Sequence, residues 1–536
     1  MRVAVIGSGH AGLSCAKALL RRGLAVTIID GGERLSEPTE RVRQTLAGMP
    51  RDQWPTDLVA AIRRNPTVTG AGLPKKLYFG EDFIYAADRP FAPTELRMSG
   101  RSLTPTYARG GYSVVWGGAA LPAAECDIGN WPITRSDLAP YFEKVLADIP
   151  LTGNDGTLAE DFPRYKLHAG SLTPGPQGRT LLADLERAGD RLKRADTLFG
   201  SARLMVRGDD EDHPARCTQC GLCFAGCPQG AIYSTLPELE RLIAEGRINY
   251  RPGLIVRTLS DDGREAVVRV IDSATQEECE MRFQAAFLAA GPINSTRILL
   301  QSKALYDREV ILKESQKFVI PTLRLTDAPG ALDATGATLS AAFVEAKDRS
   351  ISDHWIHVQM TPINDMILEA LGFAADESRS LKRTLAGPLL RRLVLAWCGM
   401  HSDHSSSVVL KLMEGSGGNA DVLQIDTRIS KEGRKLAYRF ARTLFRRALG
   451  FRSLVLFPII KFSNPGSGTH CGGAFPMRHE RLAPFDSDIY GRPFDWSRIF
   501  VIDSTVLPSI PGTTLALNVM ANAYRIGDQA PLTEEG

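Results

Sequence analysis

MRVAVIGSGHAGLSCAKALLRRGLAVTIID, residues 1–30, decides the fold. Residues 2–7 (RVAVIG) are an unbroken apolar run rich in β-branched residues, the pattern of a parallel strand buried on both faces. Gly7-Ser8-Gly9-His10-Ala11-Gly12 follows, then the helical stretch LSCAKALLRRG, then a second apolar run, LAVTIID, ending at Asp30. Gly7 permits the tight turn, Gly9 lets the backbone approach a pyrophosphate, and Gly12 lets the helix pack close to the strand. The helix N-terminus adds N–H donors and a positive dipole end. Asp30, 18 residues beyond Gly12, is placed to accept from a ribose hydroxyl. A glycine turn alone is a weak signal. Strand, helix, second strand and terminal acid in register make it a dinucleotide site.

Further along, FQAAFLAAG (283–291) leads into PINSTRILLQS, a second strand-to-glycine turn. It brings a distant segment back to the same sheet, whereas a nicotinamide dehydrogenase usually completes its nucleotide domain contiguously. The interruption favours FAD. The 536 residues exceed one core and imply two to four units at roughly 100–200 residues each. A net charge of +3 is too balanced to mark a nucleic-acid partner. No run of about 20 apolar residues is present, so a spanning helix is not expected. The immediate entry into a strand leaves no room for a secretion signal, and a cytoplasmic chain is expected.

Nine cysteines would be odd as disulfides in that compartment. Four of them, Cys217, Cys220, Cys223 and Cys227, form C-x2-C-x2-C-x3-C followed by Pro228, the bacterial ferredoxin run. Zinc is the rival, but structural zinc sites usually pair two knuckles a dozen or more residues apart. The other five cysteines are scattered singles, so one cluster is the most the chain can hold.

Further segments resemble the glucose–methanol–choline (GMC) family of flavoproteins. RGGYSVVWGG (109–118) is similar to its second glycine-rich flavin loop, and DIGNWPITRSDLAPYFEKV (127–145) to a segment of its bacterial iron–sulfur sugar and gluconate dehydrogenase branch. AAGPINSTRILLQS is similar to the family's strand–glycine–helix return, and GSGTHCGGAFPM (466–477) with IFVIDSTVLPSIPG and NVMANAYRIGD to its terminal signature. The resemblance implies an α/β (α+β overall) protein. A Rossmann-like FAD domain would be assembled from 1–35, 100–130, 205–300 and 460–536. A substrate domain on a mostly antiparallel sheet would comprise 36–99, 131–204 and 301–459. It assigns flavin contacts to Gly110, Gly111, Ser113, Trp116 and Gly117, to Val256, Ala290 and Gly291, and to Asp503. The flavin would be non-covalent, since neither loop has a cysteine at a family attachment point. The related iron–sulfur flavoproteins use C-x5-C-x3-C-P for a three-iron cluster, which Cys217, Cys223 and Cys227 match. Cys220 is additional, and a four-iron cluster follows if it points inward.

Oxidising an alcohol on a flavin needs a base for the hydroxyl proton, and neutral imidazole suits the task. His470 matches the family's base. The family's second histidine or asparagine is missing: the stretch reads PGTTLALN, with Thr513 or Thr514 at the expected place and Asn518 one helical turn on. The reading is therefore an FAD-dependent dehydrogenase oxidising a small-molecule alcohol (a sugar, polyol, sterol or related compound), with electrons leaving singly to an acceptor protein or a quinone. Its alternatives are an oxygen-using oxidase with a structural cysteine knot and a non-catalytic electron relay.

Weaker signals surround this reading. His354 and His357 sit an odd offset apart on one strand and so face opposite ways. His401 and His404 face a cleft in one reading but carry little metal signal, and Cys471 reads as a buried inert thiol. Asn294-Ser295-Thr296 reads as a helix cap rather than a glycan site. The basic, apolar stretches 381–397 and 441–462 read as core-facing helices with solvated arginines, with peripheral contact at the inner membrane face as the rival.

Overall fold

The computed structural model describes all residues except 64–75, 87–88, 100–102, 167–169, 333–335, 374–380, 418–419, 468 and 533–536. The opening run forms the strand Arg2–Ile6, buried from its second residue onward. It pairs in parallel with Ala25–Asp30 on one side and Ala285–Leu288 on the other. Ile248–Pro252 and Ile499–Val501 complete a five-stranded, wholly parallel sheet. This is the Rossmann-like sheet that the first thirty residues imply, built from five separated pieces.

The helix His10–Arg21 turns small residues (Ala11, Gly12, Cys15, Ala18) toward its neighbours, so they approach closely. A Cβ on Gly12 would overlap the carbonyl of Gly7, and one on Gly527 would touch Cys15 and Ala18 of the same helix. The helix Ala516–Gln529 therefore lies directly against it. The helix Arg135–Leu146, started by a capping box between Thr134 and Asp137, packs on Ala516–Gln529 in turn and buries Leu138, Phe142 and Val145 in the same core. This segment was expected in the substrate half. Its apolar face instead continues the nucleotide-domain core.

A three-stranded antiparallel meander, Leu254–Phe283, interrupts the parallel sheet. A mixed five-stranded sheet joins Cys471–Gly472, Glu309–Glu314, Ser407–Met413, Asp421–Arg428 and Thr94–Met98. A seven-stranded antiparallel sheet runs in the order Ser453–Val455, Lys317–Arg324, Leu393–Gly399, Ser352–Pro362, Ala342–Asp348 and Thr197–Ser201, with Lys461–Phe462 added beside Lys317–Arg324. It is antiparallel throughout, as the fold-class reading expects. One face packs on the amphipathic helix Lys431–Ala448 through Phe440, Ala441 and Leu444. The basic stretches, read as core-facing helices, hold only in part: Leu393–Gly399 is instead an inner strand of this sheet, the helix Leu381–Leu390 leaves Leu385 and Leu389 exposed, and residues 441–448 finish the helix Lys431–Ala448. Side chains 381–383 lie outside the described residues. Among the described residues no helix is long and apolar enough to cross a membrane.

Candidate active site

Two glycine loops, one return strand and one closing segment converge on a single cleft above the C-terminal ends of the parallel strands. The cleft is lined by Gly7, Ser8, Gly9 and His10, by Asp30, by Gly111 and Trp116, by Val256, by Ala290 and Gly291, and by His470 and Asp503. Gly9 and Gly111 face each other, and a Cβ on either would lie against the other loop's backbone. The strip between them is bare peptide at a helix N-terminus, fitted to a pyrophosphate. His10 Nε2, deep in the same cleft, is buried with no hydrogen-bond partner among the described residues. The residues present therefore fit a bound FAD.

Asp30 ends the second strand. Its Oδ2 accepts from Ser8 Oγ at 2.5 Å and from the Tyr250 hydroxyl at 2.9 Å. Burial pushes its pKa up to about 6 against these donors. Ser8 Oγ also accepts from Gly110 N at 2.8 Å, which couples the first glycine loop to the second. Asp503 accepts from Gly291 N at 2.9 Å and Ser295 Oγ at 2.6 Å, and so fixes the return turn. The helix Pro292–Ser302 is capped by Gly291. Asn294, Ser295 and Thr296 lie inside its first turn, so the expected cap is corrected. Within the second loop, Ser113 Oγ bonds Gly110 O at 2.6 Å and meets Thr235 Oγ1 at 3.1 Å. Gly110, Ser113 and Gly117, expected flavin contacts, do not line the cleft; Ser113 closes the loop's own turn through Gly110 instead.

His470 follows Thr469, which is held at φ 55, a conformation disfavoured for a β-branched residue. The adjoining strand Cys471–Gly472 pairs with Lys313 and Glu314, and Ser315 N donates to His470 O at 2.9 Å. Gly468, in the quoted loop, lies outside the described residues. The imidazole is buried, its Nδ1 has no partner among the described residues, and burial holds its pKa well below 6.5. It is a neutral ring in the cleft. The Cys471 thiol is pushed well above its ordinary value by burial, which disfavours the reactive thiolate.

Thr514 and Asn518 require a correction. Thr514 Oγ1 accepts from Leu121 N at 2.6 Å and donates to Leu121 O at 3.0 Å. Asn518 Oδ1 accepts from Ala123 N at 2.7 Å, and its Nδ2 donates to Thr514 O at 2.9 Å. Both side chains are consumed in clasping residues 121–123. Thr513 Oγ1, by contrast, is buried without a partner among the described residues.

All four cysteines of the run, Cys220 included, line one small closed cavity. Gln219 N donates to Cys217 Sγ at 3.4 Å and Ala231 N to Cys227 Sγ at 3.2 Å, the N–H···S bonds that tune iron–sulfur centres. Burial pushes Cys217 and Cys220 up to about 12 and raises Cys227. As free thiols they would stay protonated, and iron would have to displace those protons.

His354, His401 and Asp403 approach one another elsewhere. The two imidazoles are stacked, 3.6 Å between centroids and 16° between planes. Their in-plane lone pairs thus run side by side and do not converge on an ion. Burial opposes charge on His354, but Asp127 and Asp403 lift its pKa to about 9, and the cluster is an ion-paired bridge. Sequence reasoning missed Lys76, Glu345 and Lys317, and weighed His357 only as a metal ligand beside His354. The alternation in HWIHVQM hinted at His357's place in a sheet.

The family model described as "NAD(P)-binding Rossmann-like domain" matches residues 5–47, and that described as "4Fe-4S binding domain" matches residues 211–233. A 6'''-hydroxyparomomycin C oxidase of Streptomyces lividus is 24% identical over 544 residues, covering 98% of this chain and 90% of the relative. The crystal structure of pyridoxine 4-oxidase from Mesorbium loti superposes with a TM-score of 0.57 at 15% identity, covering 99% of both chains. Both likenesses run nearly the whole length of the chain. The chain has the α/β fold of an oxidoreductase and is similar over nearly its whole length to these two oxidases, in keeping with its resemblance to the glucose–methanol–choline family.

Proposed function

We propose that the chain is an FAD-dependent alcohol dehydrogenase that passes electrons out through an iron–sulfur cluster on Cys217, Cys220, Cys223 and Cys227. The observation that carries this reading is His470, a neutral buried imidazole in the same cleft as both glycine loops. When bound, FAD supplies an acceptor for a hydride. The glycine loops hold its pyrophosphate, Asp30 takes the ribose end, and the imidazole of His470 receives the hydroxyl proton. Because the ring is neutral, it is ready as a base without first losing a proton. Trp116 supports an outward electron route: it lines the cleft and also packs in the apolar cluster that includes Cys217, Cys223 and Cys227. Hydride carries two electrons and a cluster carries one at a time, so such a pair splits the charge toward a one-electron acceptor protein or a quinone.

A second reading, an oxygen-using oxidase whose cysteines are structural, is favoured by the names of both relatives, each an oxidase. Purified protein decides between them. Flavin bands, iron and acid-labile sulfide, bleaching by an alcohol under anaerobic conditions, and faster turnover with ferricyanide than with oxygen support the dehydrogenase. Rapid hydrogen peroxide production from a protein without iron supports the oxidase. Acid precipitation should release all the flavin; colour in the pellet overturns the non-covalent assignment.

A further inference from the structure

If the chain oxidises alcohols as proposed, the substrate oxygen needs a second polar group, and Thr514 and Asn518 are engaged elsewhere. The antiparallel sheet offers a replacement. Glu345 pairs with His357, His357 with Gly399, and Gly399 with Lys317, so four residues stand in one row across four adjacent strands. In-register partners share a face. The opposite face carries Phe318, Val344, Ile356, Val358 and Cys398 into the core beneath the helix Lys431–Ala448, so the row looks away from that core.

The gap at Gly399 is filled by the closing segment. Lys317 Nζ donates to Gly512 O and to Ser315 Oγ, each at 3.2 Å, and a Cβ on Gly399 would overlap both Gly512 O and Lys317 Nζ. Ser315 N in turn holds the His470 carbonyl. The row thus lies beside the base, near enough for Lys317 and His357 both to bear on the His470 imidazole. His357 Nδ1 is hydrogen-bonded to Glu345, while His357 Nε2, Trp355 Nε1 and Thr513 Oγ1 are buried with no partner among the described residues. Buried polar atoms are normally satisfied. Two of these orphans, Thr513 Oγ1 in the closing segment and His357 Nε2 in the row beside it, call for a polar ligand.

We propose that His357 is the second group on the substrate oxygen, donating from Nε2, with Glu345 and Lys317 as its positioning residues. Burial disfavours charge on both members of the Glu345–His357 pair. The carboxylic acid then donates to Nδ1, and the ring proton stands on Nε2. As the hydroxyl gives its proton to His470, the carbon gives its hydride, with the electron pair, to the two-electron acceptor. The C=O bond forms, and the Nε2–H group supports the negative charge on oxygen during the transfer. The ligand is a small neutral alcohol whose oxygen fits between two imidazoles.

The test is anaerobic stopped-flow bleaching of the FAD-loaded enzyme by alcohols from a panel of pyridoxine, paromomycin, glucose, gluconate and cyclohexanol. His357→Leu should slow bleaching by ~10²–10³, while His357→Gln, which keeps a donor, recovers to within about tenfold of wild type. Glu345→Gln should slow it by about tenfold. Titrating the carbonyl product of the same alcohol against the oxidised flavin bands should show binding weakened by about tenfold or more in His357→Leu. If His357→Leu does not load flavin, the two isosteric variants decide. Bleaching and product binding within about twofold of wild type in both His357→Gln and Glu345→Gln, or within about threefold in a folded His357→Leu, overturn the assignment. A wild-type enzyme that no alcohol in the panel bleaches overturns this inference and the function it rests on; unaffected variants of a bleachable enzyme overturn the inference alone.

Discussion

Lys76 donates its buried ammonium to the carbonyl oxygen of Trp116 at 2.8 Å, and this bond joins the cleft to the cysteine cavity. Trp116 lines the one and packs beside the other, its ring edge-on to His10 at 4.4 Å between centroids. Lys76 lies near enough to Cys223 and Cys227 for their charges to bear on it. A cation at the junction favours electrons arriving there.

Replacing Lys76 by Gln should therefore make the cluster harder to reduce. Reduction adds negative charge, and loss of a buried positive charge within several ångströms is worth a shift on the order of tens of millivolts downward. A redox titration followed by electron paramagnetic resonance reads the midpoint directly. An unchanged potential with full iron content would show that the Lys76 charge is not felt by the cluster.

His470→Ala should lower the rate of flavin bleaching by ~10²–10⁴ and leave flavin content and thermal unfolding near wild type. Since burial keeps this imidazole neutral well below its usual range, the wild-type bleaching rate should be flat from pH 7 down to pH 6, below the range near 8 where the neighbouring Lys317 and Glu314 titrate. A rate that falls steeply over that interval would mean the base titrates there and is not this ring.

Replacing Cys223 by Ser removes a buried sulfur from the cavity wall. Iron content should fall and ferricyanide turnover with it, while a single substrate-driven bleaching of the flavin proceeds at the wild-type rate. Normal ferricyanide turnover in the iron-depleted variant would take the cluster off the electron route.

Asp30→Asn separates stability from cofactor affinity. The buried carboxyl has its folded pKa raised from 3.8 to about 6, so the native apoprotein disfavours the charged form that the unfolded chain accepts. The asparagine variant should be more stable, by about 3 kcal/mol at most. That gain is full above pH 6 and fades as the pH falls from 6 toward 3.8. Thermal unfolding of the apoproteins at pH 5 and 8 checks the sign. FAD should bind the variant more weakly, as read by flavin fluorescence, through loss of the ribose acceptor.

Legibility in the sequence followed chain distance. Gly7, Gly9, Gly12 and Asp30 belong to a thirty-residue unit whose alternation of strand, turn and helix is set by local sterics and hydrophobic period, so the linear order alone determined that unit. Cys217, Cys220, Cys223 and Cys227 occupy eleven residues, a span too short to leave the four thiols apart, and their spacing alone marked a metal centre. His470 was singled out by resemblance to a family motif and not by any local periodicity. The tertiary structure decided what lies between distant segments. Thr514 and Asn518 face Leu121 and Ala123, nearly 400 residues earlier, because the closing helix must satisfy a buried backbone stretch, and no local pattern records that debt. The row Glu345, His357, Gly399 and Lys317 exists only through the register of four strands, where a one-residue slip would turn every side chain to the other face. Lys76 reaches Trp116 across forty residues, part of which lie outside the described residues. Local periodicity selects an element's buried face; strand pairing and loop closure, paid for by the whole core, select what that face meets.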